Sequence, residues 1–196
     1  MRPIPHHCVL CLGLTRRPLV CSTCRHQCIA RPLRISAFEN TQPWEIRALG
    51  SFDGALRRLV LKLKHGRDGP VGEWLGQALA PELSGLDRPD AITWVPSQLW
   101  NRWRRGGDPT YHLALGIGQS LSIPVQSTLQ PTLSWHGRNR AKSQRELGRF
   151  RANSSPHGRL WLVDDVFVTG STMAGASHAL EQAGYAVTQH CAVCLG

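Results

Sequence analysis

Residues 160–172 read Leu-Trp-Leu-Val-Asp-Asp-Val-Phe-Val-Thr-Gly-Ser-Thr, and this run restricts the chain to few folds. Leu160 to Val163 is short and apolar on both faces, the pattern of a strand buried inside a parallel sheet. Asp164 and Asp165 follow at the strand's carboxyl end, the edge of an open α/β sheet where ligands bind. Thr169, Gly170, Ser171 and Thr172 are small enough for backbone N–H groups to approach a phosphate, with a helix N-terminus expected behind them. That helix is predicted over residues 172–183, with Ala176, Ala179 and Leu180 on one face and Gly184 as its left-handed terminator. Acids suited to sugar hydroxyls thus stand beside donors suited to a phosphate. The alternative is an ordinary strand-turn-helix with two solvated aspartates at its rim.

No Gly-Lys-Ser/Thr follows a glycine loop and no Gly-x-Gly-x-x-Gly opens a helix after a strand, which removes P-loop and dinucleotide-binding folds. Residues 163–172 resemble instead the motif that binds phosphoribosyl pyrophosphate (PRPP) in type I phosphoribosyltransferases. Val168 stands where many members of that group carry a second Thr; it lacks the hydroxyl but keeps the backbone N–H.

The second strong signal is Cys8-x2-Cys11 with Cys21-x2-Cys24, two knuckles nine residues apart. Each pair can place two thiolates on one ion, and together they form the ligand set of a closed, tetrahedral structural zinc site. Gly13, Arg16, Arg17 and Pro18 between them suit a chain reversal. A redox pair or two disulfides are the alternatives, disfavoured in a cytosolic chain. His6, His7, His26 and Cys28 lie close enough to substitute, but four thiolates already suffice. Cys191 and Cys194 repeat the spacing inside an expected edge strand, residues 186–195, and are read as packing residues.

The rest of the chain alternates helix and strand. Residues 51–65 carry Phe52, Leu56, Leu59, Val60 and Leu63 at helical spacing, from a Ser51 cap to a stop at Gly66. A second helix is predicted over 72–83 and a strand over 91–95, ended by Pro96. Asp108-Pro109 is a helix start that runs to about Leu121, and Ile123-Pro124-Val125 leads into another strand. This order is that of an α/β fold with a mainly parallel sheet. Its length of 196 residues suits one main domain with a small appendage: a four-cysteine zinc module over 1–35 and the α/β domain over 45–196.

Lys and Arg outnumber Asp and Glu by 23 to 13, a net charge of +10, which favours polyanionic partners. Two basic segments carry much of it. Arg102, Arg104 and Arg105 lie with Trp100 and Trp103 just after the strand ending at Val95, at the carboxyl edge of the sheet. Arg138, Arg140, Lys142, Arg145, Arg149 and Arg151 crowd a stretch without a core stripe, read as a loop or hood. A solvated basic surface is the plain alternative for both. The tryptophans could stack single-stranded bases between arginines or serve as hydrophobic lids. With no apolar run of about 18 residues and no secretory leader pattern, neither a membrane span nor export is expected, so the default location is the cytoplasm.

Taken in order, these motifs resemble the ComF family of competence-associated proteins. The resemblance rests on the four cysteines, on Leu61-Lys62-Leu63-Lys64-His65-Gly66, on Val95-Pro96 followed by Arg105-Gly106-Gly107-Asp108, on Gln144 with its arginine-rich tail to Asn153, and on residues 164–172. It implies a type I phosphoribosyltransferase-like domain behind a zinc-finger-like segment, with a part in DNA uptake during natural transformation and competence proteins as partners. It implies that Asp164 and Asp165 hold the ribose hydroxyls, that Val168 and the Thr169–Thr172 loop hold the 5′-phosphate, and that pyrophosphate lies with Mg²⁺ near Ser97, Arg105 and Arg145. Arginines that stabilise a departing pyrophosphate lower the barrier to transfer at the anomeric carbon. The acceptor of such a transfer is not legible. A non-catalytic binding module for single-stranded DNA or protein, through Arg102, Arg104, Arg138, Arg140 and Lys142, is the rival reading.

Overall fold

The computed structural model describes residues 6–15, 19–29, 32–39, 42–66, 68–97, 107–132, 149–153 and 158–196. Among them a five-stranded sheet runs in the order β3-β4-β9-β8-β5, from β3 (Leu33–Glu39), β4 (Gln42–Ser51), β5 (Ala91–Trp94), β8 (Arg159–Phe167) and β9 (Ala186–Leu195). β3 and β4 form an antiparallel hairpin; β4, β9, β8 and β5 are parallel to one another. The mainly parallel α/β sheet read from the sequence is therefore present.

Alternation along the central strands divides the core into two layers. Trp161 and Val163 of β8, with Cys191 and Val193 of β9, face α2 (Gly54–Gly66), α3 (Gly69–Leu83) and α4 (Pro109–Leu121). Leu160, Leu162 and Ala192 face α5 (Ser171–Gln182) and the small hairpin of β6 (Leu129–Pro131) and β7 (Phe150–Ala152). Burial on both sides is why β8 shows no polar alternation over Leu160–Val163. On α2 the expected stripe Leu56, Leu59, Val60 and Leu63 is the buried one. α3 and α4 approach closely because both carry glycine at the crossing: a Cβ on Gly76 would lie 2.2 Å from the Leu113 carbonyl oxygen, and one on Gly116 2.1 Å from that of Glu73.

The cysteine segment packs on this core. It comprises β1 (His6–His7), β2 (Leu14–Thr15) and α1 (Ser22–Ile29), and its buried Cys8, Leu10, Val20, Cys24 and Cys28 join the cluster that contains Leu56, Leu59 and Leu63.

Four expectations change. β9 spans residues 186–195 but is the central strand, not an edge, because β4 pairs along its other side. The β3–β4 hairpin was not expected at all, although Leu33-Arg34-Ile35-Ser36 alternates as an edge strand does. Ser51 ends β4 and does not cap α2, whose first backbone bond is donated by Arg57 to the Asp53 carbonyl. Val125 makes only a single parallel bridge to Ile92 and starts no strand of its own.

Candidate functional site

β5 pairs with β8 only as far as Val163, whereas the β8–β9 ladder continues through Asp164, Val166 and Phe167. Asp164 and Asp165 thus lie inside β8 but beyond the end of its β5 neighbour, which leaves their side open at the carboxyl edge. The Asp165 backbone N–H donates to Asp164 Oδ1 at 2.8 Å. Asp165 Oδ1 lies 3.0 Å from Lys64 Nζ, delivered by the last turn of α2. Burial, reinforced by the neighbouring Asp165 charge, pushes the Asp164 carboxyl up to about 8, against the pull of the Asp165 N–H and Lys64.

The loop after β8 turns on Gly170, at φ +78°, the residue before α5. A Cβ there would meet the Phe167 ring at 3.0 Å in a backbone conformation that side chains rarely adopt. Gly170 accepts the first helical bond from Ala174 N–H at 2.8 Å, leaving the N–H groups of the first turn pointing out of the helix end. Thr169 Oγ1 and Ser171 Oγ lie 3.1 Å apart. Asp164, Val166, Val168, Thr169, Gly170 and Thr172 border a cavity of about 90 Å³, the liquid volume of about three waters and fit for a small anion. Val168, on this border, is 64% exposed.

Ser97, at the end of the β5 extension, is held by Asp108. Its N–H and Oγ donate to the two Asp108 carboxylate oxygens at 3.1 and 3.2 Å, Trp94 Nε1 donates at 3.2 Å, and Thr110 Oγ1 lies 2.7 Å away. Asp108 is the N-cap residue of α4, as expected from Asp108-Pro109, but its carboxylate makes no capping bond to a backbone N–H; it braces the loop that follows β5 and accepts from Thr110 Oγ1 in the first turn of α4. Arg102, Arg104, Arg105, Arg138, Arg140, Lys142 and Arg145 lie outside the described residues. Lys64 and Asp108 were not singled out as site residues. The Leu61–Gly66 segment was the available signal for Lys64, but only the packing of α2 shows that it reaches Asp165.

The sulfurs of Cys8, Cys11, Cys21 and Cys24 all lie within 4.8 Å of one another, and those of Cys11 and Cys21 are 3.8 Å apart. A tetrahedron of thiolates at about 2.3 Å from zinc has edges of about 3.8 Å. The Cys21 N–H reaches Cys8 Sγ at 3.4 Å and the Cys24 N–H reaches Cys21 Sγ at 3.5 Å. Burial disfavours the Cys8 thiolate, but backbone N–H donors from Cys21, Cys11 and Leu10 outweigh it and lower the thiol to about 6. Burial raises Cys24. Leu12 and Leu19, at φ 61° and 72°, shape the two knuckles. Such a set can hold a metal ion; His7, whose Nδ1 lies 2.9 Å from the Leu12 carbonyl oxygen, stays outside it.

No family model matches the chain. Over 167 residues, 78% of the chain, it is 29% identical to the DNA utilization protein YhgH of Salmonella typhimurium and to that of Escherichia coli, spanning 73% of each. It is also 30% identical over 108 residues, 50% of the chain, to competence protein F of Haemophilus influenzae, spanning 47% of it. The chain is a homologue of these proteins. The resemblance to competence-associated proteins read from its motifs thus has a competence protein among the homologues, matched over half of the chain. Solved structures similar to this chain include a glutamine PRPP amidotransferase from B. subtilis, 26% identical over 61% of this chain with a TM-score of 0.44, of which the chain spans only 25%. Another is the adenine phosphoribosyl transferase of Trypanosoma brucei, 16% identical over 92% of this chain and 69% of that one, with a TM-score of 0.41. No described helix is long and apolar enough to cross a membrane.

Proposed function

We propose that the chain binds PRPP, or a closely related phosphorylated sugar, at the carboxyl end of β8, in the service of DNA uptake. The observation that carries this is the joining of Asp164 and Asp165 to a left-handed Gly170 turn and a helix start within one short segment. Asp164 and Asp165 take the ribose hydroxyls, and Thr169 to Thr172 take the 5′-phosphate. Mg²⁺ accompanying the pyrophosphate group suits a site where the Asp165 and Asp108 charges act on Asp164 and burial already opposes its charge; it would supply charge neutralisation for a leaving pyrophosphate. Ser97 offers its position at the end of β5, while its hydroxyl is engaged with Asp108.

The names of the homologues, DNA utilization protein and competence protein F, support a role in natural transformation. The arginine-rich segments 102–105 and 138–151 are proposed contacts for single-stranded DNA or competence proteins, on the strength of the +10 charge. The four-cysteine segment is proposed as a zinc module over 1–35, ahead of a phosphoribosyltransferase-like domain over 45–196, in a cytoplasm that keeps thiols reduced.

Calorimetric titration of the zinc-loaded protein with PRPP and Mg²⁺ is the test. Micromolar binding, lost in the Asp164→Asn, Asp165→Asn double variant with its fold intact, is the expected result. Absence of heat with the wild-type protein would move the function to the basic segments alone.

A further inference from the structure

A cavity of about 550 Å³ opens at the carboxyl end of β4, between α1 and the start of α2, within the size range of small-ligand pockets. The function proposed above makes no use of it. Its floor is apolar, formed by the buried Cys28, Leu49, Ala55 and Leu56; Gln27, Asp53 and Arg58 stand exposed at its border. Among the described residues no ion pair or side-chain hydrogen bond engages the Asp53 carboxylate or the Arg58 guanidinium. One wall belongs to the cysteine segment and the other to the sheet, so the cavity exists only because the two pack together.

Its position relative to the sugar site follows from register. Gly50 of β4 pairs with Cys194 of β9, and Cys194 pairs with Val166 of β8. Gly50 borders this cavity and Val166 borders the phosphate cavity. Gly50 and Val166 lie two strand spacings apart, about 10 Å, both at the carboxyl edge of the sheet, an interval of the size that a ribose beside a single aromatic ring spans. The Asp165 and Asp53 charges both act on the Cys194 thiol between them.

Resting on the PRPP reading of the β8 site, we infer that this cavity is the acceptor pocket. Its ligand class is a one-ring aromatic carboxylic acid bearing an N–H: the ring lies on the apolar floor, Arg58 pairs with the carboxylate, and Asp53 accepts from the nitrogen. A neutral base would not engage the Arg58 charge, and an acid without an N–H would not engage Asp53. In the transfer, the nitrogen lone pair forms the bond to the anomeric carbon while the bond from that carbon to the pyrophosphate oxygen breaks, its electron pair leaving with pyrophosphate. The nitrogen's proton passes to the Asp53 carboxylate and from there to water.

The experiment is equilibrium binding of anthranilate, 4-aminobenzoate and orotate to the full-length, zinc-loaded protein, with aniline, benzoate and uracil as counterparts lacking one of the two groups. Binding of PRPP with Mg²⁺ is measured on the same samples. The expected result is saturable binding of at least one of the three acids, at least tenfold tighter than its counterparts, weakened at least tenfold by Arg58→Met and by Asp53→Asn. Neither variant should change PRPP affinity more than twofold. Pyrophosphate release should then require PRPP together with that acid. Failure of all three acids while PRPP binds would overturn the acceptor pocket and leave the sugar site standing. Tight binding of an acid without any PRPP binding would overturn the transfer and the sugar site while keeping the cavity as a binding site. Binding indifferent to Arg58→Met would overturn the assignment of the acid class.

Discussion

Gly170 shows how much of the site hangs on single residues. Its φ of +78° and the Phe167 ring 3.0 Å from any added Cβ make Gly170→Ala costly twice over, once for the left-handed backbone and once for displacing the ring. Urea denaturation should show a loss of about 1–2 kcal/mol for the backbone alone, and PRPP binding should fall with the reshaped loop. Asp164 carries a pH signature. Its carboxyl, held up to about 8 by burial and then by Asp165, stays protonated in the folded chain where the unfolded chain has already ionised. The stability this contributes is full below the ordinary carboxyl value near 4 and is lost as pH rises towards 8, with a slope no steeper than about 1.4 kcal/mol per pH unit. Thermal melts across pH 4–9 should show this decline in the wild type and a flatter profile in Asp164→Asn. The aspartates and the glycine were legible in the sequence because a buried strand, two acids and a small-residue loop each leave a local mark. Lys64 was not, since nothing in its own neighbourhood says which carboxylate a helix will bring it to.

At the scale of elements, α2 links both candidate sites. Its first turn borders the cavity beside α1, its buried stripe of Leu56, Leu59, Val60 and Leu63 seats it on the core, and its last turn presents Lys64 to Asp165. Lys64→Met should cost less than about 1 kcal/mol in stability, as partly exposed ion pairs do, yet weaken PRPP binding about tenfold by removing a cation next to two acids. Leu59→Ala, at a fully buried position, should cost about 2–5 kcal/mol and weaken PRPP binding through the displacement of the helix. Comparing the two by calorimetry and urea unfolding separates the charge from its support. Helices α3 and α4 were readable from their periodicity and from Asp108-Pro109. The β3–β4 hairpin was overlooked, although its alternation was visible, because seven and ten residues of strand do not reveal which strand of a distant segment they will pair with.

For the whole molecule, the decisive feature is that the cysteine segment and the sheet domain share one apolar cluster. Removal of metal by a chelator, or Cys8→Ser, should therefore lower the melting temperature of the entire chain in a single transition; a separate low-temperature step with an unchanged main transition would contradict this. The sequence by itself determined the mainly parallel α/β class and marked the four candidate thiolate ligands and the candidate acid–loop–helix site, because each depends on residues close together in the chain whose spacing or periodicity carries the chemistry. Tertiary structure alone decided that β9 is central, that Asp108 braces Ser97, that Lys64 meets Asp165, and that a cavity opens between α1 and β4. These depend on strand order and helix packing, which follow from how segments far apart in the chain find one another, as Cys8 and Cys194 do in one apolar cluster and Gln189 and Glu45 do in a hydrogen bond across 144 residues.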